Sequence, residues 1–403
     1  MRRFSRVLAA VVGVVLVLYV VVGQLLALTP VPWMSWTLNA SFLQSLWLAI
    51  GILRDNLGIY NVLIALVSVA LILRTVRPWR WRPSGLSRRR TVAAGFAAFG
   101  VAASLVTAIV ISIGVANGGA GFAFFTPPGP GGDLGAKADR RVVVGSPDGT
   151  PIHADLYEPT SPGPHPVVVF AHGGGFVAGA PGPTPYNRYL ADHGYAVLDV
   201  DYRLASDTVH NWNTQVGDVG CALTWVTRNS AAAGLDPDRV VTFGESSGGN
   251  LAINAAYLTA AKTLKPTCGT PEELPRIVAT VGGYPAVDLT AAYDDSALGK
   301  VTGRQFIGGP PEIYPDRYRF VDAANNLTAQ SPPTLIVQGG ADHLVLAAPV
   351  KRFADKVKAA GVPARYIELP ALDHGMGDSA STGTAGTITL RHALLDWLGR
   401  YAR

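Results

Sequence analysis

The hydrophobic positions at the start of the chain form long unbroken runs, whereas later ones occur in short segments. The runs at 7–28, 57–73 and 91–115 contain no charged residue. About 20 apolar residues in a helix cross the hydrocarbon core of a bilayer. The pattern therefore predicts a membrane region over 1–116, consisting of about three transmembrane helices.

Two features of this region allow more than one interpretation. The apolar run at 42–53 is short and ends at Arg54 and Asp55, which favours an interfacial or re-entrant helix over a further span. The basic N-terminus and the run at 7–28 also fit a signal peptide. Further apolar runs follow without a clean small-x-small cleavage site, so a retained membrane helix is preferred.

The positive charge of the chain is concentrated beside these apolar runs. Residues 1–132 contain eleven Arg and a single acidic residue, Asp55, although the whole chain has a net charge of only +5. Basic residues stay on the cytoplasmic side of a membrane, so the clusters at 2–6 and 74–90 predict an extracytoplasmic location at the cell membrane for everything after about residue 116. Arginines that flank membrane helices do not form a basic globular face, which argues against a nucleic-acid partner.

After a Gly/Pro-rich linker at 117–140, the pattern changes to alternating strands and helices. Continuously apolar segments, typical of strands covered on both faces, alternate with segments of helical spacing. This alternation predicts an α/β domain over 141–403 with a mainly parallel central sheet. The predicted strands lie at 141–144, 152–158, 166–170, 195–201, 239–243, 277–283, 334–338 and 365–369.

The strand at 239–243 leads directly into Gly244-Glu245-Ser246-Ser247-Gly248. A serine between two glycines at a strand-to-helix turn is typical of a nucleophile elbow, in which small neighbours permit a strained serine backbone. The following helix directs its free N–H groups, including that of Ser247, towards negative charge developing on a bound carbonyl.

Further candidate residues follow the carboxyl ends of other predicted strands. Asp342 follows the strand at 334–338, and His374 follows the strand at 365–369. Because Ser246, Asp342 and His374 occur in the chain order of a hydrolase triad, we expect them to meet at one edge of the sheet. Gly173, Gly174 and Gly175 follow the strand at 166–170, where backbone N–H groups without neighbouring Cβ atoms are available to an oxyanion. His172 is expected to brace this loop.

Residues 141–403 resemble the hormone-sensitive-lipase-like esterases of the α/β-hydrolase fold, which include bacterial acetyl esterases. The resemblance is carried by the segments 172–176 (HGGGF), 201–205 (DYRLA), 236–239 (DPDR) and 244–252 (GESSGGNLA). It implies that the N–H groups of Gly173, Gly174, Gly175 and Ser247 form the oxyanion hole. The chain departs from the family in having Glu245-Ser246-Ser247 where Asp-Ser-Ala is usual, a change that leaves backbone donation by Ser247 possible.

These features predict a membrane-anchored serine hydrolase of the carboxylesterase or lipase type, which cleaves a small-molecule or lipid ester through an acyl-enzyme. The same residues suit a transacylase of envelope lipids or a peptidase, and a non-catalytic hydrolase-fold ectodomain is a third class. Histidines and acidic residues do not recur at ligand spacing, and the glycine triplet lacks a following Lys-Ser/Thr. No metal or cofactor is therefore expected.

Two questions stay open at the level of sequence. Cys221 and Cys268 are the only cysteines and form either a disulfide, which an oxidising compartment permits, or two free thiols. The aromatic-rich segment at 284–327 is either a lid or pocket wall over the serine or a part of the core. The oligomeric state has no sequence signal.

Overall fold

An eight-stranded sheet forms the second part of the molecule. The computed structural model describes residues 2–75, 88–121, 136–269, 273–377 and 383–403. The strand order in the sheet is β1-β2-β4-β3-β5-β6-β7-β8. Strand β2 is antiparallel to both of its neighbours, and β3 to β8 are all parallel to one another. The strands are β1 (Arg140–Gly145), β2 (Ile152–Tyr157), β3 (His165–Ala171), β4 (Ala196–Val200), β5 (Leu235–Glu245), β6 (Ile277–Gly283), β7 (Thr334–Gly339) and β8 (Ala364–Leu369).

Helices cover both faces of this sheet, as the apolar strands require. In β3, Val167 and Val169 point into one core and Val168 and Phe170 into the other, because successive side chains of a strand alternate between faces. The predicted α/β-hydrolase fold is confirmed. The helices of this part are α6 (Asn187–Asp192), α7 (Gln215–Ala233), α8 (Ser247–Ala260), α9 (Leu289–Asp295), α10 (Ala297–Thr302), α11 (Pro315–Val321), α12 (Ala347–Ala359) and α13 (Ala385–Tyr401).

The helices before the sheet are α1 (Arg2–Leu28), α2 (Ser35–Leu38), α3 (Ser41–Leu57), α4 (Tyr60–Thr75) and α5 (Arg88–Asn117). Within the described residues, α1 and α5 are each long and apolar enough to cross a membrane, over Val7–Leu28 and Gly95–Asn117. They pack against each other and against α4.

The chain bends at the start of the predicted span at 57–73. Leu57 is the last residue of α3, and the chain turns at Gly58, whose φ is +50°, before α4 begins at Tyr60. The two helices are bent by 102° relative to each other, and they reach the length and hydropathy of a membrane span only when counted together. The sequence pattern missed this break because Gly58 lies within one continuous apolar run.

The two cysteines are joined in a disulfide between α7 and the loop after α8. The Cα atoms of Cys221 and Cys268 lie 5.7 Å apart, within the range that a disulfide spans. Gly145 makes room for this bridge, since a Cβ there would lie 2.8 Å from the Cβ of Cys268.

The aromatic side chains at 284–327 divide between the two interpretations. Phe306 and Tyr318 are buried in the core, and Phe306 stacks on Phe176 with ring centroids 3.9 Å apart. Tyr284 is the aromatic residue of this segment that lines the cavity at Ser246. Most of the segment therefore packs behind the site, and Phe306 supports the loop that follows the glycine triplet.

Asp322 lies beside the N-terminus of α9 and has a carboxylate that is costly to ionise. It accepts hydrogen bonds from Leu289 N at 2.6 Å and Thr290 Oγ1 at 2.9 Å. Burial and the nearby carboxylate of Asp288 raise the pKa of Asp322 from 3.8 to about 6. Because this pKa is higher in the folded than in the unfolded chain, its contribution to the free energy of unfolding is present below about pH 4 and is lost as the pH rises through about 6.

Replacing Asp322 with asparagine is expected to remove this pH dependence, on the order of 2 kcal/mol. The amide keeps an acceptor for Leu289 N but does not ionise. Unfolding of the detergent-solubilised protein between pH 4 and 7 measures the effect. Asp316→Asn is the matched control, because the exposed Asp316 pairs with Arg319 at the surface of α11. The expectation fails if D322N keeps the wild-type pH profile.

Candidate active site

Ser246 occupies a sharp turn between β5 and α8. Its backbone lies at φ 54° and ψ −119°, a conformation that costs about 1–3 kcal/mol for a residue other than glycine. The turn has no space for larger neighbours: a Cβ at Gly244 would lie 2.2 Å from the Gly248 carbonyl oxygen, and a Cβ at Gly248 would lie 2.0 Å from the Ala171 carbonyl oxygen. The two glycines are sterically required, as the sequence pattern predicts.

His374 links Ser246 to Asp342. Its Nε2 lies 3.0 Å from Ser246 Oγ, and its Nδ1 lies 2.8 Å from Asp342 Oδ2. Asp342 follows β7 and His374 follows β8, so the carboxyl ends of two adjacent parallel strands bring these side chains together. The structure thus assembles three residues that are 96 and 32 positions apart along the chain.

The carboxylate of Asp342 is buried and fully engaged. Its Oδ1 accepts the backbone N–H groups of Leu344 at 2.8 Å and Val345 at 2.7 Å. Its Oδ2 accepts from Gln338 Nε2 at 3.2 Å, in addition to its contact with His374. These donors fix the position of the carboxylate beside the imidazole and stabilise its negative charge.

The loop that contains Gly173, Gly174 and Gly175 lies beside Ser246. Gly174 has φ +129° and Gly175 has φ +62°, and a Cβ at Gly174 would lie 1.9 Å from the Ala178 carbonyl oxygen. A Cβ at Gly173 would come within 3.4 Å of Ser246 Cβ, so the loop backbone lies directly beside the serine. Ser247 is the first residue of α8, and its N–H belongs to the unbonded first turn of that helix.

His172 braces this loop, as the sequence interpretation expects. Its Nδ1 lies 2.7 Å from the Gly173 carbonyl oxygen, and its ring stacks on Tyr202 at 4.3 Å. The Tyr202 hydroxyl donates to the His172 carbonyl oxygen at 2.8 Å. Tyr202 belongs to the 201–205 segment, which therefore supports the glycine loop from below.

A second aspartate–histidine pair, His343 with Asp373, connects the same two loops as the pair of His374 with Asp342. This second pair was not predicted from the sequence. His343 Nδ1 lies 2.7 Å from Asp373 Oδ2, and both side chains are completely buried. The other oxygen of Asp373 accepts the N–H groups of His343 at 2.9 Å and His374 at 2.8 Å. The signal was present as a repeated dipeptide, Asp-His after β7 and Asp-His after β8. His343 lies beside the loop that carries His374.

Helix α3 also contacts the histidine loop, which no sequence pattern indicated. Arg54 Nη2 donates to the Ala371 carbonyl oxygen at 2.8 Å, and Asp373 N donates to Asp55 Oδ2 at 2.6 Å. Gln44 Nε2 donates to the His343 carbonyl oxygen at 2.9 Å. All three α3 side chains are buried. The polar residues at the ends of the apolar run 42–53 thus find their partners in the globular part.

These elements line an open cavity of about 360 Å³ beside Ser246. The Tyr284 ring and the His374 imidazole pack in a T-shaped arrangement, with centroids 4.7 Å apart. Among the described residues, no group of three or more His, Cys, Asp or Glu is arranged to hold a metal ion. The cavity is lined by Leu48, Ile52, Gly173, Gly174, Gly175, Ser246, Tyr284, Leu344, His374, Gly375 and Gly377.

The arrangement has the chemical parts of covalent acyl transfer. An imidazole within hydrogen-bond distance of a hydroxyl acts as its general base, and a carboxylate on the far nitrogen fixes the imidazole tautomer. Backbone N–H groups at a glycine loop and a helix N-terminus stabilise an oxyanion.

Comparison with known proteins identifies relatives of this chain. A family model described as BD-FAE matches residues 154–357, just over half of the chain. The esterase LipC of Mycobacterium tuberculosis is 28% identical over 244 residues, covering 58% of this chain and 58% of LipC. The carboxylesterase NlhH of the same species is 30% identical over 223 residues, covering 52% of this chain and 66% of NlhH. The chain therefore spans less than two thirds of the length of these curated relatives.

Solved structures agree with the fold assignment. The crystal structure of the esterase LipW from Mycobacterium marinum superimposes with a TM-score of 0.51 at 26% identity, covering 64% of this chain and 81% of that chain. An esterase from Thermogutta terrifontis, solved with bound propionate, has a TM-score of 0.51 at 23% identity and supports the fold alone.

Proposed function

Because the chain belongs to the BD-FAE family, we propose that it is a membrane-anchored serine ester hydrolase of the carboxylesterase or lipase type. The observation that carries this proposal is the continuous hydrogen-bonded line from Ser246 Oγ through His374 to Asp342. The names of the relatives, esterase and carboxylesterase, support the same class of reaction.

In the proposed reaction, Ser246 Oγ attacks the ester carbonyl carbon while His374 Nε2 takes the hydroxyl proton. The bond between the acyl carbon and the alcohol oxygen then breaks, and the imidazolium returns the proton to the leaving alcohol. Water attacks the acyl-enzyme with His374 again as the base, which releases a carboxylic acid and restores the serine. Asp342 holds the imidazole through Nδ1 and stabilises its charged form.

The oxyanion hole of this reaction consists of backbone N–H groups. Gly173, Gly174 and Gly175 line the cavity beside Ser246, and Ser247 begins α8. Negative charge on the substrate oxygen is stabilised by such fixed donors, each typically contributing about 3–4 kcal/mol at the transition state. Because the donors are backbone groups, the serine at 247 serves as well as the alanine usual in similar esterases.

The proposed location is a cell membrane, with the catalytic part on its extracytoplasmic side. Anchoring is supported by α1 and α5, which have the length and hydropathy of membrane helices. The side is supported by the arginine clusters flanking the apolar runs. It is also supported by the disulfide between Cys221 and Cys268, because disulfides persist mainly in oxidising compartments.

Covalent labelling tests both the chemistry and the side. A fluorophosphonate is expected to modify Ser246 in the native full-length protein, and tandem mass spectrometry of the labelled peptide identifies the site. Heat-denatured protein is the control, because the assembled His374 is needed to activate the hydroxyl. A membrane-impermeant biotin fluorophosphonate is expected to label intact cells as strongly as permeabilised ones. Native protein without label at Ser246 excludes the proposed chemistry, and label only after permeabilisation reverses the orientation.

A further inference from the structure

The cavity at Ser246 has a wall that comes from the membrane region. Leu48 and Ile52 lie one helical turn apart on α3 and face the same space as Ser246 and His374. They are separated from the serine by about 200 positions in the chain. An apolar helix that precedes α4 and α5 therefore lines the cavity at Ser246.

We propose that the substrate is an ester lipid resident in the bilayer, whose acyl chain reaches Ser246 along α3 and packs on Leu48 and Ile52. This inference rests on the proposed function. It goes beyond it by assigning the substrate class and the route of entry.

The first argument is that α3 is fixed at the site by polar contacts at both of its ends. Near its N-terminus, Gln44 donates to the His343 carbonyl oxygen and accepts from Leu298 N, both at 2.9 Å. Near its C-terminus, Arg54 and Asp55 form a buried ion pair and contact the loop that carries His374. The helix thus forms part of the cavity wall and is held there from both ends.

The second argument is the close packing in the middle of α3. Gly51 lies against the carboxylate of Asp373: a Cβ there would lie 1.8 Å from Oδ2. This close approach brings Leu48 and Ile52, on either side of Gly51 in the helix, up to the mouth of the cavity. A helix that only anchored the protein would not need to approach the catalytic loop so closely.

The third argument is the opposite face of α3, which is apolar and exposed. Phe42, Leu46 and Leu53 are exposed there, Phe42 to 75%. Just before α3, Trp33 and Trp36 are 78% and 72% exposed. Tryptophan is enriched where membrane proteins meet the headgroup layer, and an apolar helix face beside spanning helices packs into that layer.

Together these observations give α3 two partners. Its inner face lines the cavity at Ser246, and its outer face lies in the bilayer interface adjoining α1 and α4. An acyl chain therefore moves from the lipid phase to Leu48 and Ile52 without crossing water. Leu344 continues the apolar lining towards the serine.

The test compares two substrates that differ only in the acyl chain, with the full-length protein reconstituted in phosphatidylcholine vesicles. The substrates are p-nitrophenyl acetate and p-nitrophenyl palmitate, the latter embedded in the vesicles. Leu48→Trp fills the acyl route and is expected to lower kcat/KM for the palmitate at least about tenfold, the size of effect that apolar pocket contacts produce. The readout is the ratio of the two kcat/KM values, palmitate to acetate, which is expected to fall at least about fivefold in Leu48→Trp relative to wild type. Ser45→Gln, at an exposed polar position of the same helix, is the matched control.

A second arm addresses the route. Palmitate ester in the same vesicles as the protein is expected to be hydrolysed faster than the same ester supplied in separate vesicles. Equal rates overturn lateral entry. If L48W loses both activities equally while fluorophosphonate labelling stays intact, the acyl route is wrong. Leu48→Gln repeats the test with a smaller side chain. If wild-type protein hydrolyses the acetate but not the palmitate, the lipid substrate is wrong and the proposed function stands. If wild-type protein shows neither activity and no labelling, the proposed function itself is wrong.

Discussion

Replacing Ser246 with alanine is expected to reduce ester hydrolysis by a factor on the order of 10⁵ to 10⁶, as loss of the nucleophile does in a serine hydrolase. The alanine removes the oxygen that lies 3.0 Å from His374 Nε2 and leaves the turn otherwise unchanged. The measurement is kcat for p-nitrophenyl acetate with the purified full-length protein. KM is expected to change little, because the cavity walls remain.

The melting temperature of the Ser246→Ala protein is expected to equal or slightly exceed that of the wild type. The backbone of residue 246 is strained at φ 54° with either side chain. The Ser246 hydroxyl serves the reaction and contributes little to packing. Ser161→Ala is the control, because Ser161 is an exposed serine of the same part of the chain. If S246A retains more than about a thousandth of the activity with an unchanged melting temperature, the nucleophile is another residue.

The second large effect is expected from Asp342→Asn, which lowers kcat about 10⁴-fold. An asparagine at this position still accepts from Leu344 N and Val345 N, so the loop keeps its shape. However, the amide favours the wrong tautomer of His374, with the proton on the nitrogen that must accept from Ser246. The melting temperature is therefore expected to change little.

The chain contains a matched control for this variant in the crossed pair. Asp373→Asn changes the carboxylate that holds His343 Nδ1 and the N–H groups of His343 and His374 but does not touch the His374 imidazole. It is expected to lower the free energy of unfolding by about 3 kcal/mol, because one partner of a buried pair is removed, and to lower kcat at most about 100-fold. Asp342→Asn thus affects mainly kcat, and Asp373→Asn mainly stability.

Measuring kcat, KM and melting temperature for both variants separates the two roles. If both variants lose kcat equally while remaining stable, Asp373 contributes to the reaction as directly as Asp342. If Asp342→Asn loses only stability, the carboxylate of Asp342 is structural and the proposed triad is wrong. Comparison of the two variants is informative because the residues occupy equivalent positions in adjacent loops.

The sequence alone determined those parts of the site that depend on short-range sterics and on strand order. Gly244 and Gly248 flank Ser246 because a tight turn has no space for Cβ atoms. This requirement can be recognised from the five residues 244–248 alone. Asp342 and His374 follow predicted strands, and parallel strands bring their carboxyl ends to one edge of a sheet. Long apolar runs likewise indicated α1 and α5 as helices long and apolar enough to cross a membrane, because hydrophobic length is a local property.

The tertiary structure alone decided which residues support the site from a distance. Leu48 and Ile52 belong to a short apolar run whose pattern predicts an interfacial or re-entrant helix, and only the docking of α3 shows that one side faces Ser246. Gln44, Arg54 and Asp55 have partners some 300 positions later in the chain. The crossed pairing of Asp342 with His374 and of His343 with Asp373 joins side chains from two loops that follow the adjacent strands β7 and β8. The local sequence pattern determines the conformation of a segment. These contacts depend instead on how distant segments pack together, and their separation along the chain does not indicate their separation in space.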